Sequence, residues 1–386
     1  MNISNQTTTP STLFNLTALC LMTSLQGNSS DNNTVKNNDV NIWFDCKNKK
    51  LNNPSLKPFW EYGEFKAAKW FSKNSKFIVM CLGYPGNIAA IITVCRMKPF
   101  TTSSLFMVML AIMDTATLLS KEVYYRLTFH DVRLYDFGCQ TMLFLGAFTM
   151  QYANWILVLM TAERFIAVRF PMKVQKISTK TKVAILLAVV AVILIGLNAH
   201  LFVTIYEKLY TRRGYVCTVK PEHAYFYLVE WYWVENSVFG FIPCVAVFVL
   251  NIMIIVCIRI SIKKQKDLTA VDQNKSKQQM QITVMLVTVS VIFVILTMSN
   301  TIFLLYFVYI GYYQHRSDHY HIAVLQLTSQ LVFLLTDFNN ATNFYFYFLS
   351  GRRFRKHFIQ MICCCCPKRK SRETTETSVY SKSTRY

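Results

Sequence analysis

Residues 139–171 read CQTMLFLGAFTMQYANWILVLMTAERFIAVRFP, an apolar run that closes in an acid–base pair and then a basic stretch. No charged residue lies between Cys139 and Glu163, so the run is long and apolar enough to cross a bilayer as a helix. Glu163 and Arg164 stand where that helix leaves the membrane, a place where charges are costly and usually functional. The segment therefore predicts a membrane span with a charged pair at one end.

Six further apolar runs share this character. Hydrophobic residues make up 53% of the chain and charged residues only 16%, which differs from soluble domains. Each span is close to the roughly 20 residues that a bilayer requires, and we place them at residues 75–97, 103–126, 139–163, 183–206, 231–258, 281–310 and 322–348. Hydrocarbon offers no hydrogen-bond partners, so each span is expected to be helical. The predicted fold is an all-α bundle of seven transmembrane helices spanning residues 75–348.

Basic residues cluster in alternate linkers, at residues 96–98, 169–182, 259–266 and 352–356. The positive-inside rule makes that side cytoplasmic and the N-terminal tail, residues 1–74, extracellular at the plasma membrane. Some glycan acceptor motifs arise by chance in an Asn-rich tail, but five support this orientation: Asn2, Asn5, Asn15, Asn28 and Asn32. Because the clusters flank spans, the net charge of +21 indicates topology and contact with anionic membrane lipid, not binding of nucleic acid.

The chain after span seven predicts attachment to the membrane. Residues 349–362 combine Phe354 and Phe358 with arginines and lysines, a pattern typical of an amphipathic interfacial helix. The cytoplasmic tail, residues 363–386, begins with four consecutive cysteines that we expect to be palmitoylated: Cys363, Cys364, Cys365 and Cys366. A metal cluster would use spaced cysteine pairs instead. Serines and threonines in the tail predict phosphorylation and recruitment of arrestin; the alternative is a merely solvated tail.

Short motifs recur in a fixed order along the spans. They are Asn87 in span one, Asp114 in span two, Cys139 and Glu163-Arg164-Phe165 in span three, Pro243 in span five, Phe293 and Asn300 in span six, and Asn339 and Asn343-Phe344-Tyr345-Phe346-Tyr347 in span seven. In order and spacing the chain resembles a rhodopsin-class G-protein-coupled receptor. The resemblance implies a ligand outside and a heterotrimeric G protein inside, with coupling through Glu163, Arg164, Phe165 and Tyr347.

Two sites follow from this resemblance. A polar centre of Asn87, Asp114, Asn339 and Asn343 is similar to the family's sodium pocket, although a hydrogen-bonded cluster without an ion is the alternative. A disulfide between Cys139 and Cys217 is implied between span three and the second extracellular loop, with two free thiols as the alternative. Alternation around Cys217 also predicts a short hairpin.

Span six departs from the family pattern. It reads Leu296-Thr297-Met298-Ser299 where relatives have Cys-Trp-x-Pro. Without the proline, the usual backbone cause of a kink is missing. A second departure is Gln279, which replaces an acid that many relatives place opposite the arginine, and it predicts raised basal activity.

The ligand is narrowed mainly by exclusion. Span three lacks the acid that anchors amines in relatives, and span seven lacks the lysine that links retinal in opsins. Acids among aromatic rings at the outer mouth suit a cationic, aromatic ligand, and the candidate ligand-binding residues are Glu122, Tyr125, Glu230, Glu235 and Asp337. The alternative is that the aromatics are interfacial anchors and that the acids pair with Lys121 or Arg126.

The end of span seven makes the ligand more specific. Its Asn-Phe-x-x-Tyr and Ser-Gly-Arg-x-Phe-Arg motifs resemble those of invertebrate FMRFamide-like neuropeptide receptors, which implies an amidated Arg-Phe peptide. A chemosensory receptor of the same fold for a small molecule is the main alternative. An enzyme is not expected, since no histidine accompanies Ser or Cys in a nucleophile motif, and neither a metal site nor a cofactor other than sodium is predicted. A transporter is a remote alternative without the expected internal repeats.

Overall fold

The computed structural model describes residues 61–130, 132–170, 173–210, 214–264, 270–309 and 319–362. Seven helices in these ranges are long and apolar enough to cross a membrane. They are α1 (Gly63–Arg96), α2 (Thr102–Phe129), α3 (Tyr135–Arg169), α4 (Lys180–Asn198), α5 (Ile242–Lys264), α6 (Ala270–Tyr309) and α7 (His319–Ser350). The predicted seven-helix bundle is confirmed.

Several helices extend past the ends of the apolar runs. Helix α1 begins at Gly63, so its first turns belong to the stretch predicted as tail, and α6 begins at Ala270 rather than at residue 281. Residues such as Lys66 and Lys69 continue α1 with an exposed polar surface. Hydropathy detects only the part of a helix that lies in hydrocarbon, which explains these shifts.

A β-hairpin follows the fourth spanning helix. After a helical turn at Leu201–Thr204, strand β1 (Ile205–Tyr210) pairs in antiparallel register with strand β2 (Gly214–Val219). The predicted hairpin is confirmed, whereas the predicted end of span four at residue 206 is too late. Ile205 is fully buried, and a buried apolar residue extends the hydropathic run whether it lies in a helix or a strand.

The chain ahead of α5 is helical but irregular. Two π-helical segments, Phe226–Trp231 and Glu235–Phe241, flank an α-helical turn at Tyr232–Val234. Each π turn contains an extra residue, which changes the direction of the side chains after it, and such segments are frequent at functional sites. The irregular segment therefore determines how the side chain of Glu235 is presented at the outer end of the bundle.

An eighth helix lies at the end of the bundle where α7 finishes. Helix α8 (Arg352–Ile362) follows α7, and its Phe354 is 1% exposed, with its ring 5.8 Å from that of Phe344 and 5.9 Å from that of Tyr347. Helix α6 is continuous through residues 296–299, as the missing proline there leads one to expect.

Candidate functional site

Glu163 and Arg164 form a buried ion pair near the C-terminal end of α3. Arg164 is 8% exposed, and its Nη2 lies 2.6 Å from Oε2 of Glu163. Its Nε donates to Oε2 at 2.7 Å, and Nη2 donates to Oε1 at 2.8 Å. Charge-assisted hydrogen bonds in such a fork arrangement are strong and directional. The arginine is thus held by its neighbour in the chain.

Two hydroxyl groups at the start of α2 complete this cluster. Thr102 donates to Oε1 of Glu163 at 2.7 Å and Ser103 donates to Oε2 at 3.3 Å. Nη2 of Arg164 donates in turn to the hydroxyl of Ser103. Sequence reasoning missed both hydroxyl residues, because a Thr-Ser run before an apolar segment indicates only a helix cap. The cluster joins α2 to α3 where the predicted coupling residues lie.

The other predicted coupling residues lie nearby in the bundle without joining this cluster. Phe165 is partly buried next to Arg164. Tyr347 of α7 is 1% exposed, and its hydroxyl has no hydrogen-bond partner among the described residues. The side chain of Gln279 lies outside the described part of the structure. Arg164 is therefore restrained by α2 and α3, whereas Tyr347 is packed against α8.

The polar centre joins α1, α2 and α7. Asp114 is 1% exposed and accepts a hydrogen bond from Nδ2 of Asn343 at 2.7 Å. Nδ2 of Asn87 donates to the backbone oxygen of Asn340 at 3.1 Å. No hydrogen bond joins the side chain of Asn339 to this centre in the described structure, and its place in the centre stays a prediction. Oδ1 of Asn87 and Nδ2 of Asn340 are buried without partners, a common sign of a water or ion site.

The outer end of α3 is tied to the hairpin by the predicted disulfide. Cys139 and Cys217 are bonded, with their Cα atoms 5.4 Å apart, and Cys139 is fully buried. Nε2 of Gln140 also donates to the backbone oxygen of Ile205 at 3.0 Å. Strand β2 is consequently held over the outer end of α3.

A second attachment of the hairpin could not be seen in the sequence. Oε1 of Glu207 accepts the backbone N–H groups of Leu134 at 2.6 Å and Tyr135 at 2.9 Å, and the N–H of Glu207 donates to Asp136 at 2.8 Å. Nε of Arg133 pairs with Oε2 of Glu207 at 3.3 Å. Tyr135 has a left-handed φ of 56°, uncommon for a side-chain-bearing residue. Glu207 stabilises this start of α3.

Two of the predicted ligand-binding acids are already paired with cations. Oε1 of Glu122 lies 2.5 Å from Nε of Arg126, one turn along α2. Oδ1 of Asp337 on α7 lies 2.6 Å from Nζ of Lys121. This is the pairing that sequence analysis left open as the alternative. Neither acid is available to a ligand cation without first exchanging its partner.

The remaining acids differ in their surroundings. Glu230 is exposed, whereas Glu235 is partly buried, and its carboxylate makes no hydrogen bond or ion pair within the described structure. The electrostatic neighbours of Glu235 include Tyr227 and Tyr232. Glu235 is thus an uncompensated acid among aromatic rings, which is the environment that suits a bound cation.

Tyr125 contacts a cation that sequence analysis did not consider. Nζ of Lys76 on α1 lies 3.3 Å from the centroid of the Tyr125 ring, a close cation–π contact. A single lysine inside an apolar span gives no sequence signal that distinguishes an inward cation from one that reaches toward the membrane surface.

Other predicted sites lie outside the described residues. These are the glycan acceptors Asn2, Asn5, Asn15, Asn28 and Asn32, and the palmitoylation candidates Cys363, Cys364, Cys365 and Cys366. Within the described ranges no group of three or more His, Cys, Asp or Glu residues is arranged to hold a metal ion.

Comparison with known proteins agrees with this geometry. The family described as 7 transmembrane receptor (rhodopsin family) matches residues 86–343, which includes the polar centre, the disulfide and the Glu163–Arg164 pair. No curated protein matches the chain. Families of this kind contain receptors and not enzymes. The chain therefore belongs to the rhodopsin family of seven-transmembrane receptors.

Proposed function

We propose that this receptor binds an extracellular neuropeptide, in particular an amidated Arg-Phe peptide, and activates a heterotrimeric G protein. The observation that carries the ligand class is Glu235, an acid without a cation partner in the described structure. Its aromatic neighbours Tyr227 and Tyr232 provide ring faces for the phenyl group and the guanidinium of such a peptide. The paired acids Glu122 and Asp337 then support the wall of the site.

The coupling part of the proposal rests on Arg164. An arginine is always charged and forms up to five hydrogen bonds, so release from Glu163 would free it for backbone carbonyls of a G-protein helix. In the closed arrangement, the hydroxyl groups of Thr102 and Ser103 are bonded to Glu163 and Arg164. These hydrogen bonds would break when Arg164 turns toward the G protein. Phosphorylation of the tail would then recruit arrestin to terminate the signal.

The membrane attachments remain part of this proposal. We place the receptor in the plasma membrane with its N-terminus outside, because basic residues in alternate linkers mark the cytoplasmic side. Cys363–Cys366 would add acyl chains beside α8, and Asn residues of the tail would carry glycans. Acyl-exchange labelling should be lost in the variant with all four cysteines changed to serine, and unchanged labelling would refute acylation there. Glycosidase digestion should lower the apparent mass of the intact receptor, and no shift would refute glycosylation.

A sodium ion fits part of the polar centre. The carboxylate of Asp114 and the unpartnered buried oxygen of Asn87 are the hard oxygen ligands that such a cation prefers. The side chain of Ala153 offers no oxygen ligand. We expect sodium, compared with potassium at the same ionic strength, to lower agonist affinity in the wild type and not in Asp114→Asn.

The ligand proposal is tested by screening amidated peptides against the surface-expressed receptor. An Arg-Phe-amide peptide should activate the wild type, and Glu235→Gln should lower its potency at least about tenfold, since a desolvated charge loses its partner. Glu230→Gln is the matched control, because this acid lies in the same segment but is exposed. Activation by small molecules and by no peptide would favour the chemosensory alternative.

A further inference from the structure

Five charged side chains lie close together where α1, α2 and α7 meet. Lys76 is influenced electrostatically by two acids, Asp337 and Glu122, and by two cations, Lys121 and Arg126. Three cations face two acids, so the cluster has one surplus positive charge. An uncompensated charge away from bulk water is costly, and a bound anion would remove that cost.

The ion pairs within the cluster identify Lys76 as the surplus cation. Lys121 pairs with Asp337 at 2.6 Å, and Arg126 pairs with Glu122 at 2.5 Å. Lys76 is partly buried and lies within ion-pair distance of no carboxylate in the described structure. An ammonium group has three N–H donors, and the ring of Tyr125 occupies only one side of it. Donors for an anion therefore remain.

A second unused donor lies on the same face of α1. Tyr84 stands eight residues after Lys76, and residues at this spacing share one side of a helix. Its hydroxyl is buried and has no partner among the described residues, and Glu122 is one of its electrostatic neighbours. Tyr84 packs against a buried cluster that includes Leu118 of α2 and Ala341 of α7. This face of α1 therefore contacts the other two helices.

We propose that Lys76 is the recognition residue of a second ligand subsite, which binds a carboxylate or sulfate group of the extracellular ligand. The proposal rests on the proposed function, since it specifies a further group of the same ligand. Lys76 supplies the positive charge, and Tyr125 fixes the position of the ammonium. Together with the uncompensated acid Glu235, this subsite selects a peptide that carries both an acidic group and a basic one.

Peptide pairs test the subsite in cells. An amidated Arg-Phe peptide extended by two Asp residues is compared with the same peptide extended by two Asn residues. The acidic peptide should be about fivefold more potent on the wild type, as expected for one partly exposed ion pair. Lys76→Gln should reduce that ratio to one, and Lys76→Arg should retain it. Lys73→Gln, which removes an exposed lysine from the same helix, should also retain it.

Equal ratios in the wild type and Lys76→Gln, at equal surface expression, would overturn the subsite. The experiment does not depend on the absolute potency of either peptide. A failure of every Arg-Phe-amide to activate the receptor would instead count against the proposed function, and the subsite is then decided by the following measurement.

A ligand-free measurement uses inorganic sulfate as the probe. The full-length receptor, purified in a nonionic detergent without phospholipid, is unfolded thermally in sodium sulfate and in sodium chloride of equal sodium concentration, with choline chloride added to the latter to equalise the ionic strength. Sulfate should raise the Tm of the wild type and of Lys73→Gln by about 2 °C through binding to the folded state. Lys76→Gln should keep only the smaller rise that sulfate gives folded proteins in general through exclusion from their surface.

The same assay separates a ligand anion from a lipid headgroup. If sulfate has no effect and phosphatidylglycerol added to the micelles raises the Tm in a Lys76-dependent way, the residue binds lipid and the proposal is overturned. An equal sulfate effect in wild type and Lys76→Gln, or none in either, overturns it as well.

Discussion

The two ends of the bundle treat their charges differently. At the end proposed to face the G protein, Arg164 pairs with Glu163, and hydroxyl groups of α2 add further hydrogen bonds. At the outer end, the described structure leaves Lys76 without an anion and Glu235 without a cation. Breaking a buried ion pair is costly, so such a pair stabilises the conformation that contains it, whereas a partly buried charge without a counter-ion can gain free energy by binding one. Under the proposed function, activation releases Arg164 from Glu163 at the inner end, and the ligand binds the unpaired charges at the outer end.

The largest expected effect is at the inner end. Arg164→Ala removes the cation that would contact the G protein, so agonist-driven signalling should fall below about a tenth of the wild type, corresponding to more than 1.4 kcal/mol of coupling free energy. Arg169→Ala, at the exposed end of the same helix, should keep most of the response. G-protein activation is measured at matched surface expression. Normal signalling by Arg164→Ala would show that Arg164 is not needed for G-protein activation.

The next effect concerns the hairpin above the outer end. Glu207→Gln weakens the hydrogen bonds to the start of α3 and removes the ion pair with Arg133. Agonist potency should fall about threefold to tenfold, since hydrogen bonds to a charged group contribute about 1.5–3 kcal/mol and part of this is retained by the amide. Glu222→Gln is the control, because that acid is 71% exposed. Equal potency of both variants and the wild type would show that the disulfide alone positions the hairpin.

The smallest expected effect is on ligand-free signalling, and it tests whether Ser103 restrains Arg164 at the inner end. Ser103→Ala removes a hydrogen bond to both members of the ion pair, so the closed arrangement loses about 1 kcal/mol and basal signalling should rise about twofold to fivefold. Thr115→Ala is the matched control, since its hydroxyl bonds only to the backbone of Ala111 on the same helix. Ligand-free signalling that is the same in both variants would mean that Ser103 does not restrain Arg164.

Most of the fold could be predicted from the sequence, and the reason is physical. A bilayer requires long apolar runs, and these are visible without any knowledge of how helices meet. The Glu122–Arg126 pair was also foreseeable as an alternative, because residues four apart are neighbours on a helix. The predicted helix ends were less accurate, since α1 already begins at Gly63, ahead of the apolar run.

Contacts between distant parts of the chain could not be predicted in this way. Lys121 and Asp337 are separated by 216 positions, and only the packing of α2 against α7 brings them together. In the polar centre, Asn87 donates to the backbone oxygen of Asn340, and a contact to a backbone oxygen leaves no signal in the residue types of a sequence. The π-helical segment before α5 likewise has no signal in composition or periodicity.

The most direct test of the account is a double-mutant cycle between Glu235 and the ligand's guanidinium. An activating Arg-Phe-amide peptide is compared with its citrulline analogue, which is neutral and of nearly the same shape, on the wild type and on Glu235→Gln. The account predicts that each change alone lowers affinity at least about tenfold and that both together lower it little further, because the same ion pair is lost. Independent losses that multiply in the doubly changed complex would contradict it.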